Sequence, residues 1–161
     1  MSRIKHKTAL SLIMSFSIFA IFSAYFIQYV LKHQPCNLCL IERIPYIVSI
    51  VIISTCLFFK KFEKVSLSVL SLIFFSATLI AFYHFGIEQG FIKESLVCDL
   101  DSDNNNPSKE ALLKQLKEMP VSCKNVTFKI FGLSLATFNI LISLVLGIIT
   151  TKLFFTYEKN K

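Results

Sequence analysis

Four long apolar blocks divide this chain, and they restrict its fold more than any other feature. A helix needs about 20 apolar residues to cross the core of a bilayer. The blocks extend over about residues 8–31, 44–59, 65–86 and 130–155, and 54% of the 161 residues are hydrophobic. Because the blocks take up most of the chain, we predict four membrane spans and no separate soluble domain.

The predicted fold is therefore an all-α integral membrane protein, with one four-helix bundle over residues 1–161. External loops are expected at about 32–43 and 87–129. In the second loop, apolar residues recur at helical spacing between Ser108 and Met119. This pattern predicts a short amphipathic helix at the membrane interface, and a small soluble helix that folds over the bundle fits it equally well.

The basic residues are distributed unevenly between the two sides of the predicted bundle. The side with both termini carries nine basic and two acidic residues, whereas the other side carries eight of each. The whole net charge of +7 thus lies on the side of the termini. The positive-inside rule makes that side cytoplasmic and the two loops external. The basic charge is then a topology signal, and no nucleic-acid partner is expected.

Both predicted external loops contain two cysteines, Cys36 and Cys39 in the first, and Cys98 and Cys123 in the second. Disulfides persist outside the cytoplasm. Each pair is compatible with a redox-active disulfide, with a structural disulfide or with part of a zinc site. Within the first pair, we expect Cys39 to be the better stabilised thiolate, because it precedes the second span and Arg43 follows four residues later.

Ionisable residues at the outer rim of the spans form a second signal. Arg43 begins the second span, and His84 and Glu88 end the third. Ionisable groups at this depth are candidate functional residues, although headgroup anchoring by Arg43 and an interfacial hydrogen bond from His84 explain them equally well. A site here would be open to lipid, which suits a two-electron acceptor such as a quinone.

Several motifs together resemble those of one family. They are Pro35-Cys36-Asn37-Leu38-Cys39 with Glu42-Arg43 downstream, the second cysteine pair, the 83–88 stretch Tyr-His-Phe-Gly-Ile-Glu and the 131–136 stretch Phe-Gly-Leu-Ser-Leu-Ala. With four spans, they make the chain similar to the DsbB family of quinone-dependent membrane oxidants. The resemblance covers essentially the whole sequence.

The resemblance implies a reaction and a role for each candidate residue. A DsbA-like periplasmic thioredoxin-fold protein would be oxidised, and its electrons would pass through Cys98–Cys123 and Cys36–Cys39 to ubiquinone or menaquinone in the inner membrane. Cys98 would form the mixed disulfide with the partner, and Cys123 would exchange with Cys36. The cofactor-binding residues would be Cys39, Arg43 and His84, and no metal is implied.

The chain departs from this family in having no tryptophan. Relatives often have one near the start of the fourth span and one within it, where Phe128 and Phe138 stand here. Three alternatives are a vitamin K epoxide reductase-like enzyme, a membrane interaction protein stapled by disulfides, and a zinc site of all four outer cysteines. In the first of these the Cys-X-X-Cys motif comes last along the chain, whereas here it comes first.

Overall fold

The structure is a computed structural model, and it describes residues 2–59, 63–93, 123, 129–130 and 132–159. The predicted interfacial helix at 108–119, Cys98 and Phe128 lie outside these residues. The described elements are five helices and one hairpin: α1 Ser2–Tyr29, α2 Asn37–Ile41, α3 Ile44–Phe58, α4 Glu63–Glu88, β1 Lys129–Ile130, β2 Leu133–Ser134 and α5 Leu135–Lys159.

Within the described residues, four helical segments are long and apolar enough to cross a membrane. They are Lys7–Tyr29, Asn37–Phe58, Glu63–Glu88 and Leu135–Tyr157, with mean hydropathies between 1.8 and 2.3. The prediction of an all-α membrane bundle with four spans is therefore confirmed.

The second span is interrupted near its start. Helix α2 is only five residues long, and a turn at Glu42 and Arg43 separates it from α3. Pro45 stands in the first turn of α3, where its missing N–H leaves no helical hydrogen bond unmade. This turn directs the Glu42 side chain into the bundle, where it is buried.

The bundle is held together by two main helix contacts, α4 against α5 and α1 against α3. Its core includes Leu70 and Phe74 of α4, Tyr46 of α3 and Leu146 of α5. Many large apolar side chains remain exposed on the outside, such as Leu79, which is 72% exposed. An aqueous surface rarely carries so large an apolar area, and this one suits contact with lipid chains.

Hydroxyl groups also join the helices inside the bundle. The Ser49 hydroxyl donates to Ser17 at 3.2 Å, and the Thr78 hydroxyl donates to Ser143 at 3.1 Å. These contacts give each of the four hydroxyls a partner on another helix, as is common between helices in a membrane.

A small hairpin precedes the last helix. Strand β1 pairs with β2 in antiparallel register, Lys129 opposite Ser134. The turn between them contains Gly132 at φ +82°, a conformation that favours glycine. The predicted fourth span starts at about residue 130, but because the hairpin uses these residues, α5 begins at Leu135.

Candidate active site

Cys36 and Cys39 form a pair of free thiols at the start of the second span. Their Sγ atoms are 2.8 Å apart. Cys36 occupies the N-cap position of α2, and its Sγ accepts a hydrogen bond from the backbone N–H of Cys39 at 3.3 Å. An N-cap side chain faces the unsatisfied N–H groups and positive dipole end of the helix, so negative charge on this sulfur is favoured.

The electrostatic environment therefore favours a thiolate at Cys36. A hydrogen bond from the Cys39 side chain is the main reason that the pKa of Cys36 falls from 9.0 to about 4; burial opposes this shift, and His84 adds to it. The sequence-based expectation that Cys39 is the better stabilised thiolate is wrong for this reduced pair. Its reason is structural, since α2 begins one residue after Cys36 rather than after Cys39.

His84 connects this dithiol to a carboxylate. Its Nε2 lies 3.5 Å from the Cys36 Sγ, and its Nδ1 donates to Glu42 Oε1 at 2.8 Å. His84 is only 2% exposed. A histidine between a thiol and a carboxylate can take the thiol proton while the carboxylate stabilises the resulting imidazolium.

Two further side chains fix the Glu42 carboxylate. Asn139 Nδ2 donates to Glu42 Oε2 at 2.9 Å, and the Tyr46 hydroxyl donates to Asn139 Oδ1 at 2.5 Å. Glu42 thus has a partner for each oxygen, and the network links α2, α3, α4 and α5. A buried polar network whose members are all paired holds one geometry.

A second carboxylate approaches His84 from its own helix. Glu88 Oε1 lies 3.7 Å from His84 Nε2, and the Glu88 side chain is 6% exposed. Its other oxygen, Oε2, is buried and has no hydrogen-bond partner within the described part of the chain. Burying an ionised carboxylate without full pairing is costly. The Cys36–His84 pair thus lies between two acidic groups.

An apolar cavity of about 300 Å³ opens beside the dithiol, lined mainly by side chains of α1 and α5, with others from α2, α3 and the turn between them. Cys39, Glu42, Arg43 and Phe138 all contribute to its wall. Arg43 Nη1 donates to Gln28 Oε1 at 2.6 Å, and its guanidinium carbon lies 5.0 Å from the centroid of the Tyr25 ring. Because α1 holds it in this way, the arginine is fixed at the cavity wall.

The structure places most of the residues singled out in the sequence near one another, but they form two groups and do not all touch. Cys36, Cys39, His84 and Glu88 converge as expected from their depth. Arg43 shares the cavity with Cys39, whereas His84 is not among the side chains that line it. His84 is connected to the cavity through Glu42 on one side and through Cys36 and Cys39 on the other.

Sequence reasoning assigned no role to three members of the network. It used Glu42 only as a loop charge and as part of the Glu42-Arg43 motif, and it did not consider Tyr46 or Asn139. The available signal was a carboxylate and an amide inside or beside apolar runs, where polar groups are costly unless paired. Their pairing spans 97 residues, from Glu42 to Asn139, and no local pattern predicts such a contact.

Cys123 is also close to this site. It is disulfide-bonded, 3% exposed, and packed in one apolar cluster with Cys36, Leu38 and Ile87. Because its sulfur is in a disulfide, it offers no thiolate to the four-cysteine zinc site considered above.

The chain is similar to known proteins. A family model described as "Disulfide bond formation protein DsbB" matches residues 6–153 of the chain. The chain is also similar to a curated protein of Rickettsia prowazekii (strain Madrid E) described as "Uncharacterized protein RP370". The two are 28% identical over 162 residues, which cover 98% of this chain and 92% of the relative.

Proposed function

This chain belongs to the DsbB family, and on that premise we propose that it is a thiol:quinone oxidoreductase. Family membership and four membrane helices make it a membrane oxidoreductase of disulfide bond formation. Its proposed thiol substrate is a periplasmic DsbA-like thioredoxin-fold protein. Two electrons pass from that protein through Cys98–Cys123 and then Cys36–Cys39 to a membrane quinone.

One observation carries the proposal: Cys39, one thiol of a reduced pair, forms part of the wall of an apolar cavity between helices long enough to span a membrane. A cavity of about 150 Å³ is enough for benzene, so about 300 Å³ leaves room for a substituted quinone ring. The wall is mostly apolar and has a few polar groups at one end, the usual composition of a small-molecule site. The residues present therefore fit a quinone ring.

The cavity residues have distinct tasks in this proposal. Cys39 and Arg43 would hold the quinone at the cavity wall, where Cys39 would supply the reacting sulfur and Arg43 a fixed positive charge that stabilises the negative charge of the reduced ring. His84 contacts Cys36, and Glu42 holds His84 in position. A bound quinone accepts two electrons, which matches the two electrons released when two thiols form one disulfide.

The second cysteine pair connects this site to the soluble partner. Cys123 packs in the same apolar cluster as Cys36, and this proximity supports disulfide exchange between them. Exchange proceeds by attack of a thiolate on a disulfide sulfur. The pairing of Cys123 with Cys98, and the attack of the partner on Cys98, are part of the proposal.

The proposed location follows from the charge asymmetry of the chain. Both termini are placed in the cytoplasm, and both cysteine-bearing loops in the periplasm, with the spans in the inner membrane. This orientation puts the dithiol where an oxidising compartment meets the quinone pool.

The first experiment is quinone reduction by the purified protein in detergent, supplied with a reduced DsbA-like protein. We expect one quinol for each partner disulfide formed. Cys36→Ser should abolish turnover, because the sulfur that closes the inner disulfide is missing. Cys56→Ser is the matched control and should leave turnover unchanged, since Cys56 lies in the apolar core of the bundle.

The alternative of a disulfide-stapled interaction protein gives a different result. It predicts no turnover, with the outer cysteines stably oxidised and resistant to the reduced partner. A Cys123→Ala variant separates the two further, because the oxidoreductase should trap the partner in a mixed disulfide and an inert staple should not. Full turnover by the Cys36→Ser variant would contradict the proposed electron route.

A further inference from the structure

The network around His84 raises the question of where protons go during the proposed reaction. When the two thiols of Cys36 and Cys39 join, one S–S bond forms and two electrons and two protons leave. The electrons reduce the quinone, and each of the two quinol oxygens takes one proton. Cys39 lines the cavity, so its proton has a direct path. Cys36 is 6% exposed and is not among the side chains that line the cavity.

We propose that His84 and Glu42 form a buried relay that carries the Cys36 proton to the cavity. This inference rests on the proposed function and adds to it a second catalytic group at the cavity wall. Each step of the path is an observed contact: Cys36 Sγ to His84 Nε2 at 3.5 Å, His84 Nδ1 to Glu42 Oε1 at 2.8 Å, and Glu42 in the cavity wall. The 2.8 Å step lies within the reach of direct proton transfer, and 3.5 Å is a hydrogen-bond distance for a sulfur atom.

The charge at Cys36 determines which way the proton moves. In the reduced pair, His84 holds the proton beside the Cys36 thiolate, and Glu42 stabilises the imidazolium. When Cys36 becomes part of the disulfide, its negative charge is lost and the imidazolium loses one of its two stabilising partners. His84 then gives a proton from Nδ1 to Glu42, which delivers it to the cavity.

Glu42 is well suited to this task because its position is fixed. Its Oε2 accepts from Asn139, which leaves Oε1 facing His84. Four titratable groups of the described residues face His84: Cys36, Glu42, Glu88 and Cys39, whose sulfur lies within 4.8 Å of a ring nitrogen. Cys39 lines the cavity but has its own proton to release there. Since Glu88 is not among the side chains that line the cavity, we assign the transfer to Glu42 and not to Glu88.

The test begins with a readout that needs no quinone. Thiolate absorbance of the reduced protein is followed against pH, in a background with Cys56, Cys98 and Cys123 changed to serine. In Glu42→Gln the imidazolium loses its carboxylate, so the Cys36 transition should move upward by at least about one pH unit, and Glu42→Asp should restore part of the shift. Glu63→Gln, at the opposite end of α4, is the matched control and should not shift it.

The second readout is the single-turnover rate when pre-reduced protein with all its cysteines is mixed with a short-chain quinone. Removing a positioned acid–base group typically costs about 10²-fold or more, and we expect Glu42→Gln to slow quinone reduction by about that factor. His84→Gln should slow it similarly, and the double variant should be no slower than the worse single variant, because both residues act in one chain.

Each result decides between the relay and its alternatives. A Glu42→Gln variant with an unchanged thiolate transition, or with the parent rate of quinone reduction, overturns the relay. Rate losses that multiply in the double variant overturn it as well. If the parent protein itself does not reduce quinone, the proposed function fails, while the thiolate titration still measures the coupling of Glu42 to Cys36. Thermal unfolding of each variant checks that its fold is intact.

Discussion

Three groups lie next to the Cys36 sulfur: the N-terminus of α2, where Cys36 is the N-cap, the Cys39 thiol and the His84 ring. These groups lower its pKa to about 4, the Cys39 hydrogen bond first among them. A free cysteine, with its pKa at 9.0, is mostly protonated at neutral pH. The structure therefore predicts an unequal pair in the reduced protein, in which Cys36 carries the charge and Cys39 carries the proton next to the cavity.

Replacing Cys39 should reveal the source of this inequality. Cys39→Ala removes the thiol donor, so the Cys36 transition should move from about pH 4 toward 9. Cys39→Ser retains an O–H donor and should keep part of the lowering. The measurement is thiolate absorbance against pH in the same triple-serine background. Absorbance detects the thiolate even though its sulfur is buried.

The sign of the effect on stability follows from the direction of the shift. Because folding lowers the pKa of Cys36, the thiolate stabilises the reduced protein fully above the unfolded value of 9.0, and this stabilisation is lost as the pH falls toward about 4. Equal transitions in Cys39→Ala and in the protein that retains Cys39 would contradict the assignment of the hydrogen bond as the main cause.

At the scale of single elements, the hairpin before α5 determines where the last span begins. Its turn depends on Gly132, at φ +82°, and β2 leads directly into α5, which carries Asn139. The hairpin therefore sets the start of the helix that holds Glu42 in place. A change in the turn should therefore shift α5 and, with it, the contact between Asn139 and Glu42.

Gly132→Ala should destabilise the protein by about 1–2 kcal/mol, because an L-residue with a side chain disfavours the left-handed conformation. The measurement is thermal unfolding in detergent. Gly147→Ala is the matched control within α5: a Cβ there meets Phe75 at 3.5 Å, an ordinary contact, and alanine favours a helix over glycine by about 1 kcal/mol. Equal melting temperatures for both variants would contradict the role assigned to the turn.

At the scale of the whole molecule, the four spans and the charge asymmetry together predict one orientation. A green fluorescent protein fused after the last residue should fluoresce, and alkaline phosphatase fused there should be inactive, because the proposed orientation has the C-terminus in the cytoplasm. Alkaline phosphatase inserted within residues 101–106 should be active. The opposite pattern would place both cysteine loops in the cytoplasm and contradict the proposed electron route.

Hydropathy predicted the bundle from the sequence because lipid imposes a simple rule on each span: its backbone must be satisfied internally and its side chains must be apolar. The convergence of Cys36, His84 and Glu88 also followed from depth along the helices. The inward turn of Glu42 did not, since it depends on the break between α2 and α3. Nor did the contact of Asn139 with Glu42, which depends on how α5 packs beside that break.

The cavity next to Cys39 is bounded on one side by α1, whose Phe19 is 65% exposed on the lipid-facing surface. The quinone proposed for this cavity is a solute of the bilayer, so its effective concentration is an amount per lipid rather than per volume of water. Adding phospholipid or detergent at constant amounts of protein and quinone should therefore lower the concentration of both within the membrane phase and slow the reaction. The volume of the aqueous phase would be unchanged.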